Sequence, residues 1–176
     1  SAQFDATVPI IITEVAVRPN GGTAAWGPST YDNFEMSLGA SQNDYTVGNY
    51  DLVFDNNFVA GSKQVFVATG PLNVPAATGG ASPNPWSILF TPTGGGYQFD
   101  PTQGNDFIVE LRTPGSGAGN PTTHSTDGAS AGAGLLGGNR YGSTTDPNAT
   151  TATFNNNEFV PIVRITYMPA DGVFPD

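Results

Sequence analysis

Apolar and polar residues alternate with a period of two along most of this chain, the mark of strands with one face buried and one face wet. The strongest run comes first, from Thr7 through Val8, Pro9, Ile10, Ile11, Ile12, Thr13, Glu14, Val15 and Ala16 to Val17, and it is the most apolar and most β-branched stretch present. Strict alternation sets Ile11, Val15 and Val17 on one side and Ile10, Ile12 and Ala16 on the other. Both faces are then apolar, so this strand belongs at the centre of a sheet or inserted into one. Chain ends fray unless something ties them down, and an end this apolar must be buried.

Further strands follow at short intervals. Tyr31 to Leu38 turns Phe34, Met36 and Leu38 to one face, and strands over Tyr50–Asp55 and Ser62–Thr69 come next. Pro71 to Val74 reads as a separate edge piece, because Pro cannot donate to a central ladder. Trp86, Ile88 and Phe90 alternate onto a shared face, which predicts a core position for Trp86. Tyr97 and Phe99 lead into an Asp-Pro-Thr-Gln-Gly-Asn turn at 100–105, after which Asp106–Arg112 is expected to bury Phe107, Val109 and Leu111. Glu158 to Met168 forms the last strand. Between them, residues 114–157 are rich in Gly, Ser, Thr, Asn and Ala, with only Leu135, Leu136, Tyr141 and Phe154 to pin them. Such a stretch is a long excursion or an arm lying on a partner.

No segment carries a 3.6-residue period. The pattern predicts an all-β fold, a β-sandwich of jelly-roll or Ig-like type with about eight to ten strands and one long loop region. Its organisation divides into an N-terminal apolar strand, residues 1–18, able to act as a donor, and a sandwich over 19–176.

Composition sharpens this picture. A chain of 176 residues is one domain, and 38% hydrophobic residues with 11 Phe and 6 Tyr supply a core that disordered chains lack. Only 11% of residues are charged, against about 25% in average domains, while 23 Gly and 15 Pro favour turns. The net charge of −10 leaves no basic face for nucleic acid or anionic lipid. No run approaches the roughly 20 apolar residues of a membrane-spanning helix. Ser1-Ala2-Gln3 suits the mature end left by signal cleavage, and the scarcity of Lys with abundant Thr, Asn and Gly predicts a secreted, extracellular or cell-surface protein.

Motifs for catalysis lack their frames. Gly128-Ala129-Ser130-Ala131-Gly132 matches a nucleophile elbow, which needs a helix after it and a downstream histidine; the one histidine, His124, lies upstream. Gly132-Ala133-Gly134-Leu135-Leu136-Gly137 has no βαβ setting. His124 with Asp127 offers too few ligands for zinc or copper, so His124 is expected to be a solvated loop residue and the protein not an enzyme. Calcium is the cation that oxygen ligands alone could recruit, through Asp100, Asn105 and Asp106, or through Asp51, Asp55, Asn56 and Asn57. The same residues serve equally as Asx-turns. Trp26, in a Gly-rich loop, is the candidate ring for stacking on a sugar.

Four stretches, Val17-Arg18-Pro19, Tyr31 to Leu38, Val67 to Leu72, and Tyr97 to Glu110 with its Asp-Pro-x-x-Gly-Asn block, resemble a domain of exported bacterial proteins that carry the PEP-CTERM sorting tail. The resemblance implies an exported β-sandwich of the cell surface or matrix with no established activity. The final Val173-Phe174-Pro175-Asp176 departs from the sorting pattern, which points to a released or polymerised form.

Two functional expectations result. The first is a non-enzymatic extracellular structural protein, a self-assembling filament or surface-appendage subunit whose first strand completes a neighbour's sandwich through Val8, Ile10, Ile11, Ile12, Val15 and Val17. Its partner is a second copy, giving a homo-oligomer or polymer, and it needs no cofactor. The alternative is a calcium-dependent carbohydrate-binding module that stacks a glycan on Trp26.

Overall fold

The computed structural model describes residues 4, 6–22, 25–43, 50–80, 82–113, 124–130, 140–142, 148–156 and 159–172. The first strand, β1 (Ile10–Val17), lies between the last, β13 (Val163–Pro169), and two short strands, β6 (Ile88–Phe90) and β7 (Tyr97–Phe99), all antiparallel to it. A second sheet sets β3 (Ser29–Ser41) between β4 (Gln64–Val74) and β8 (Asp106–Arg112). Three two-stranded ladders complete the described strands: β2 (Ala25–Trp26) with β5 (Ala77–Thr78), β9 (Gly128–Ser130) with β12 (Phe159–Pro161), and β10 (Arg140–Gly142) with β11 (Phe154–Asn156). The fold is all-β and sandwich-like, as the alternation predicts. Its helical content among the described residues is two 3₁₀ turns, Phe54–Asn57 and Pro101–Gln103.

The core lies between the two larger sheets. Ile10, Ile12, Val15, Val17, Ile88, Phe90, Tyr97 and Phe99 meet Phe34, Met36, Leu38, Phe66 and Val74. Phe34 and Phe90 stack with ring centres 5.2 Å apart, and Phe99 meets Phe107 edge-on at 5.3 Å. Ahead of β1, the Phe4 ring lies against Phe99, Phe107 and Tyr167. The apolar plug therefore begins six residues before the strand itself.

In β1 the predicted faces are redistributed. Ile12 pairs with Tyr167 and Glu14 with the adjacent Thr166, so Thr13 is an extra residue, a β-bulge. The inserted residue shifts the phase of the side chains. Ile10, Ile12, Val15 and Val17 thereby share the inward face, while Ile11 and Ala16 turn outward. Ala16 is fully buried even so, and Ile11 is half-buried.

Other expectations change for local reasons. The Tyr50–Asp55 region is no strand: Val53 makes one bridge to Thr151, and the chain then coils over the outer face of β3. Phe58 lies so close above Gly39 that a Cβ there would sit 2.3 Å from its ring. Asn57 holds the coil, its amide donating to the carbonyls of Asp51, Val53 and Phe54 while its Oδ1 accepts from the Asp51 N–H. β4 runs unbroken through Pro71, which is tolerated because β4 is an edge strand in the described sheet. Leu111 is 53% exposed, because it sits where β8 leaves the core. Trp86 precedes β6 and lies outside the core cluster. The closing strand is split at Ile162, whose N–H turns away to the Asp127 carbonyl. Of the 114–157 excursion, the described parts form β9, β10, β11 and a short pairing of 150–152 with 52–54. Leu135, Leu136, the 132–137 glycine motif and the 173–176 tail lie outside the described residues, as does the end of the 128–132 motif.

Candidate functional site

The first strand fills a slot, and the slot has little pairing without it. Among the described residues, β13, β6 and β7 are hydrogen-bonded into their sheet through β1 and through no other strand. β13 matches β1 from Ile10↔Pro169 to Val17↔Val163. On the opposite edge β7 takes Ile10 to Ile12 and β6 takes Val15 to Val17. Of the six predicted interface residues, Ile10, Ile12, Val15 and Val17 enter the core. Ile11 lies on the outer face opposite Met168 and Gln98, and Val8 is half-buried just ahead of the strand.

Where β1 ends, the next four residues are held by a set of contacts that sequence reasoning missed. Arg18 Nε donates to Asp127 Oδ2 at 2.6 Å, with both side chains largely shielded from solvent at 19% and 14% exposure. The other oxygen, Asp127 Oδ1, accepts from the Gly21 N–H at 2.9 Å, and the Asp127 N–H donates back to the Arg18 carbonyl at 3.0 Å. The Arg18 guanidinium lies 4.6 Å from the centre of the Trp86 ring, and the Arg164 guanidinium lies 5.6 Å from it. Arg164 in turn pairs with Glu14 of β1 at 2.7 Å. Asn84, itself buried, donates its amide to the carbonyls of Pro19 and Asn20. Asn20 N–H reaches the Ser125 carbonyl, and Pro19 bridges to Thr126. A Cβ added at Gly21 would meet Ser82 Oγ at 2.8 Å, so the two segments approach closely here. The available signal was an arginine directly after the most apolar strand, in a chain with only five basic residues.

His124 is half-buried rather than solvated. Its Nε2 faces Ser29 Oγ at 2.8 Å and its Nδ1 faces Tyr31 Oη at 2.8 Å. Trp26 meets its ring edge-on, with centres 4.9 Å apart. Burial lowers the His124 pKa below its usual 6.5 and raises that of Tyr31, so a neutral imidazole between two hydroxyls is the favoured state at neutral pH. Trp26 donates its Nε1–H to the Pro75 carbonyl and rests against the core, so its ring forms part of a wall. His124 and Asp127 do not converge, since Asp127 is engaged by Arg18 and Gly21.

The proposed calcium ligands fall around one turn. Asp100 caps the 3₁₀ turn Pro101–Gln103, accepting from Thr102 N–H and Oγ1 through Oδ1 and from Gln103 Nε2 through Oδ2. Hydrogen bonds from the Thr102 hydroxyl, the Gln103 amide and the Thr102 N–H hold its carboxyl below the usual range. Asp100 and Asn105 line an open cleft of about 230 Å³ with Gln64, Tyr97, Gln98 and Gln103, while Asp106 begins β8. In the other set, Asp51 accepts from Val53 N–H and Asn56 Nδ2, and Asp55 pairs with Lys63. Asp51 and Asp100 each form an Asx-turn, and among the described residues no three His, Cys, Asp or Glu side chains gather as metal ligands.

No helix among the described residues is long and apolar enough to cross a membrane. No family model matches the chain, and comparison with curated proteins and with solved structures finds no match either.

Proposed function

We propose that this chain is an extracellular structural subunit that assembles by seating β1 of one copy in the slot of the next. The observation that supports the reading is the dependence of β13, β6 and β7 on β1 for their sheet pairing among the described residues. A strand that carries the core of its own domain can be replaced by the same strand of another copy with no new contact needed. That is β-strand addition between identical molecules. Repeated head to tail, such a junction does not close and yields a filament. The extracellular setting rests on the low charge content, the Gly, Thr and Asn richness and the resemblance to exported bacterial domains.

Physical chemistry sets the conditions. Contacts inside the slot are the same whether its occupant comes from the same chain or a neighbour, so they cancel. What remains is the effective concentration of the tethered strand, of the order of mM for short linkers, against the concentration of neighbours. Withdrawal of a seated β1 requires opening the core, which makes exchange slow once folding is complete. Assembly is therefore fixed while the chain folds at high local concentration.

A strand lock tests this. Ile11 and Met168 are paired across β1 and β13 on the outer face, so Ile11→Cys with Met168→Cys can close a disulfide within one chain. Protein refolded at high concentration is expected to give multiples of 18.2 kDa and filaments by negative stain when reduced, and a single 18.2 kDa species when oxidised before concentration. A reduced protein that stays monomeric at every refolding concentration contradicts the proposal.

A further inference from the structure

The contacts beyond the end of β1 point to a recognition element. We infer that Asp127, Trp86 and Asn84 form a socket that reads the Arg-Pro-Asn-Gly segment trailing an incoming β1, so that the slot selects a second copy of this chain over other apolar strands. The inference rests on the strand-exchange reading above and adds its specificity.

The slot alone discriminates poorly. Its walls are aliphatic and aromatic, and any β-branched strand of similar length offers comparable burial. A difference of one methylene in an apolar pocket separates partners only about 10- to 200-fold. The socket supplies polar readout that such strands lack. Asp127 offers one carboxylate oxygen to the Arg18 guanidinium and the other to the Gly21 N–H, which fixes both the residue and its distance from the following glycine. Trp86 takes the guanidinium on its ring. Asn84 binds the two carbonyls between them, and Ser82 lies close over position 21, its Oγ 2.8 Å from where a Cβ would stand. A strand without the arginine leaves a shielded carboxylate without its counter-charge, and a strand slipped by one residue turns its apolar set outward. The socket thus sets register as well as identity. Every socket residue, 82 to 86 and 124 to 127, lies outside the 4–21 segment that would move.

A charge exchange between two full-length variants tests it. Arg18→Asp places two carboxylates in the socket, and Asp127→Arg places two guanidinium groups there. Each variant alone is expected to melt at least about 5 °C below the unaltered chain. Refolded together, they form mixed assemblies in which each strand meets the complementary socket of the other chain, and the lost Tm returns. Native mass spectrometry with one variant isotopically labelled counts these mixed species, expected in at least tenfold excess over either self-pair. The double variant, Arg18→Asp with Asp127→Arg in one chain, recovers stability without its partner. Two results overturn the inference: single variants as stable as the parent, or mixed species at the statistical ratio. If the double variant recovers while no mixed species forms at any concentration, the socket acts within one chain only, and it is the strand-exchange reading that fails.

Discussion

Truncation of Ile12 to alanine isolates the claim that β1 is the centre of this core. Ile12 is fully buried between the two sheets, and the change removes three carbons. At about 0.8 kcal/mol per buried methylene the transfer contribution is roughly 2.4 kcal/mol. The cavity left between close-packed rings raises the expected loss to about 3–5 kcal/mol. Ile11→Ala deletes the same atoms one residue away, on the half-buried outer face, and should cost about 1 kcal/mol. Val15→Ala, on the inward face beyond the bulge, should cost about 2–3 kcal/mol. Urea titrations followed by circular dichroism, at low protein concentration where association contributes least, yield the three values if the slope is unchanged. The order Ile12, Val15, Ile11 is the signature of the bulge at Thr13. Strict alternation instead puts Ile11 and Val15 on one face and Ile12 on the other. An Ile11→Ala variant as damaged as Ile12→Ala, or Val15→Ala with no measurable loss, refutes the register described here.

Three further outcomes follow from local geometry. Gly39→Ala drives a methyl into the Phe58 ring and should cost about 1–3 kcal/mol; Phe58→Ala in the same chain should relieve that strain, so the two losses will not add in a double-mutant cycle. Asn57→Ala removes the partner of three carbonyls and should destabilise by about 2–4 kcal/mol, whereas Asn56→Ala, on the exposed side of the same turn, should cost under about 1 kcal/mol. His124 has a folded pKa below 6.5, so the unfolded chain takes up its proton first as pH falls. Stability from this residue is present above pH 6.5 and declines as pH falls through 6.5 toward the lower folded pKa, a slope that His124→Gln should remove. Asp51 and Asp100, held down by their hydrogen bonds, contribute a separate decline at lower pH, through and below the 3.8 of free carboxyls.

Alternation exposes most of the strands because it reports one thing, which side of a pleat meets the core. Phe34, Met36 and Leu38 face inward as read, and so do Phe107 and Val109. The same signal is blind to an inserted residue, which explains the wrong faces assigned in β1. It also takes any alternating stretch for a strand, as with Tyr50–Asp55, where the carbonyls of Asp51, Val53 and Phe54 are satisfied by the side chain of Asn57. Trp86 alternates with Ile88 and Phe90 in sequence, but the strand begins only at Ile88, so its ring is free to lie against Arg18 and Arg164. The slot was legible from the apolar first strand. The socket was not, because Asp127 and Asn84 are 109 and 66 residues from Arg18, and neither sits in a pattern that composition or period can detect. His124 was misjudged for the same reason: its partners, Ser29 and Tyr31, are some 90 residues away.

Which chain supplies the strand in a given slot can be read directly from the Ile11–Met168 register. Two single variants, Ile11→Cys and Met168→Cys, one of them isotopically labelled, are refolded together at high concentration and oxidised, and the disulfide-linked species are weighed. Strand exchange predicts a covalent heterodimer for this pair and none above background for Ile11→Cys with Arg164→Cys, which lies four residues out of register. Equal yields from both pairs, or no heterodimer at any concentration, contradict it and leave β1 a strand that serves only its own chain.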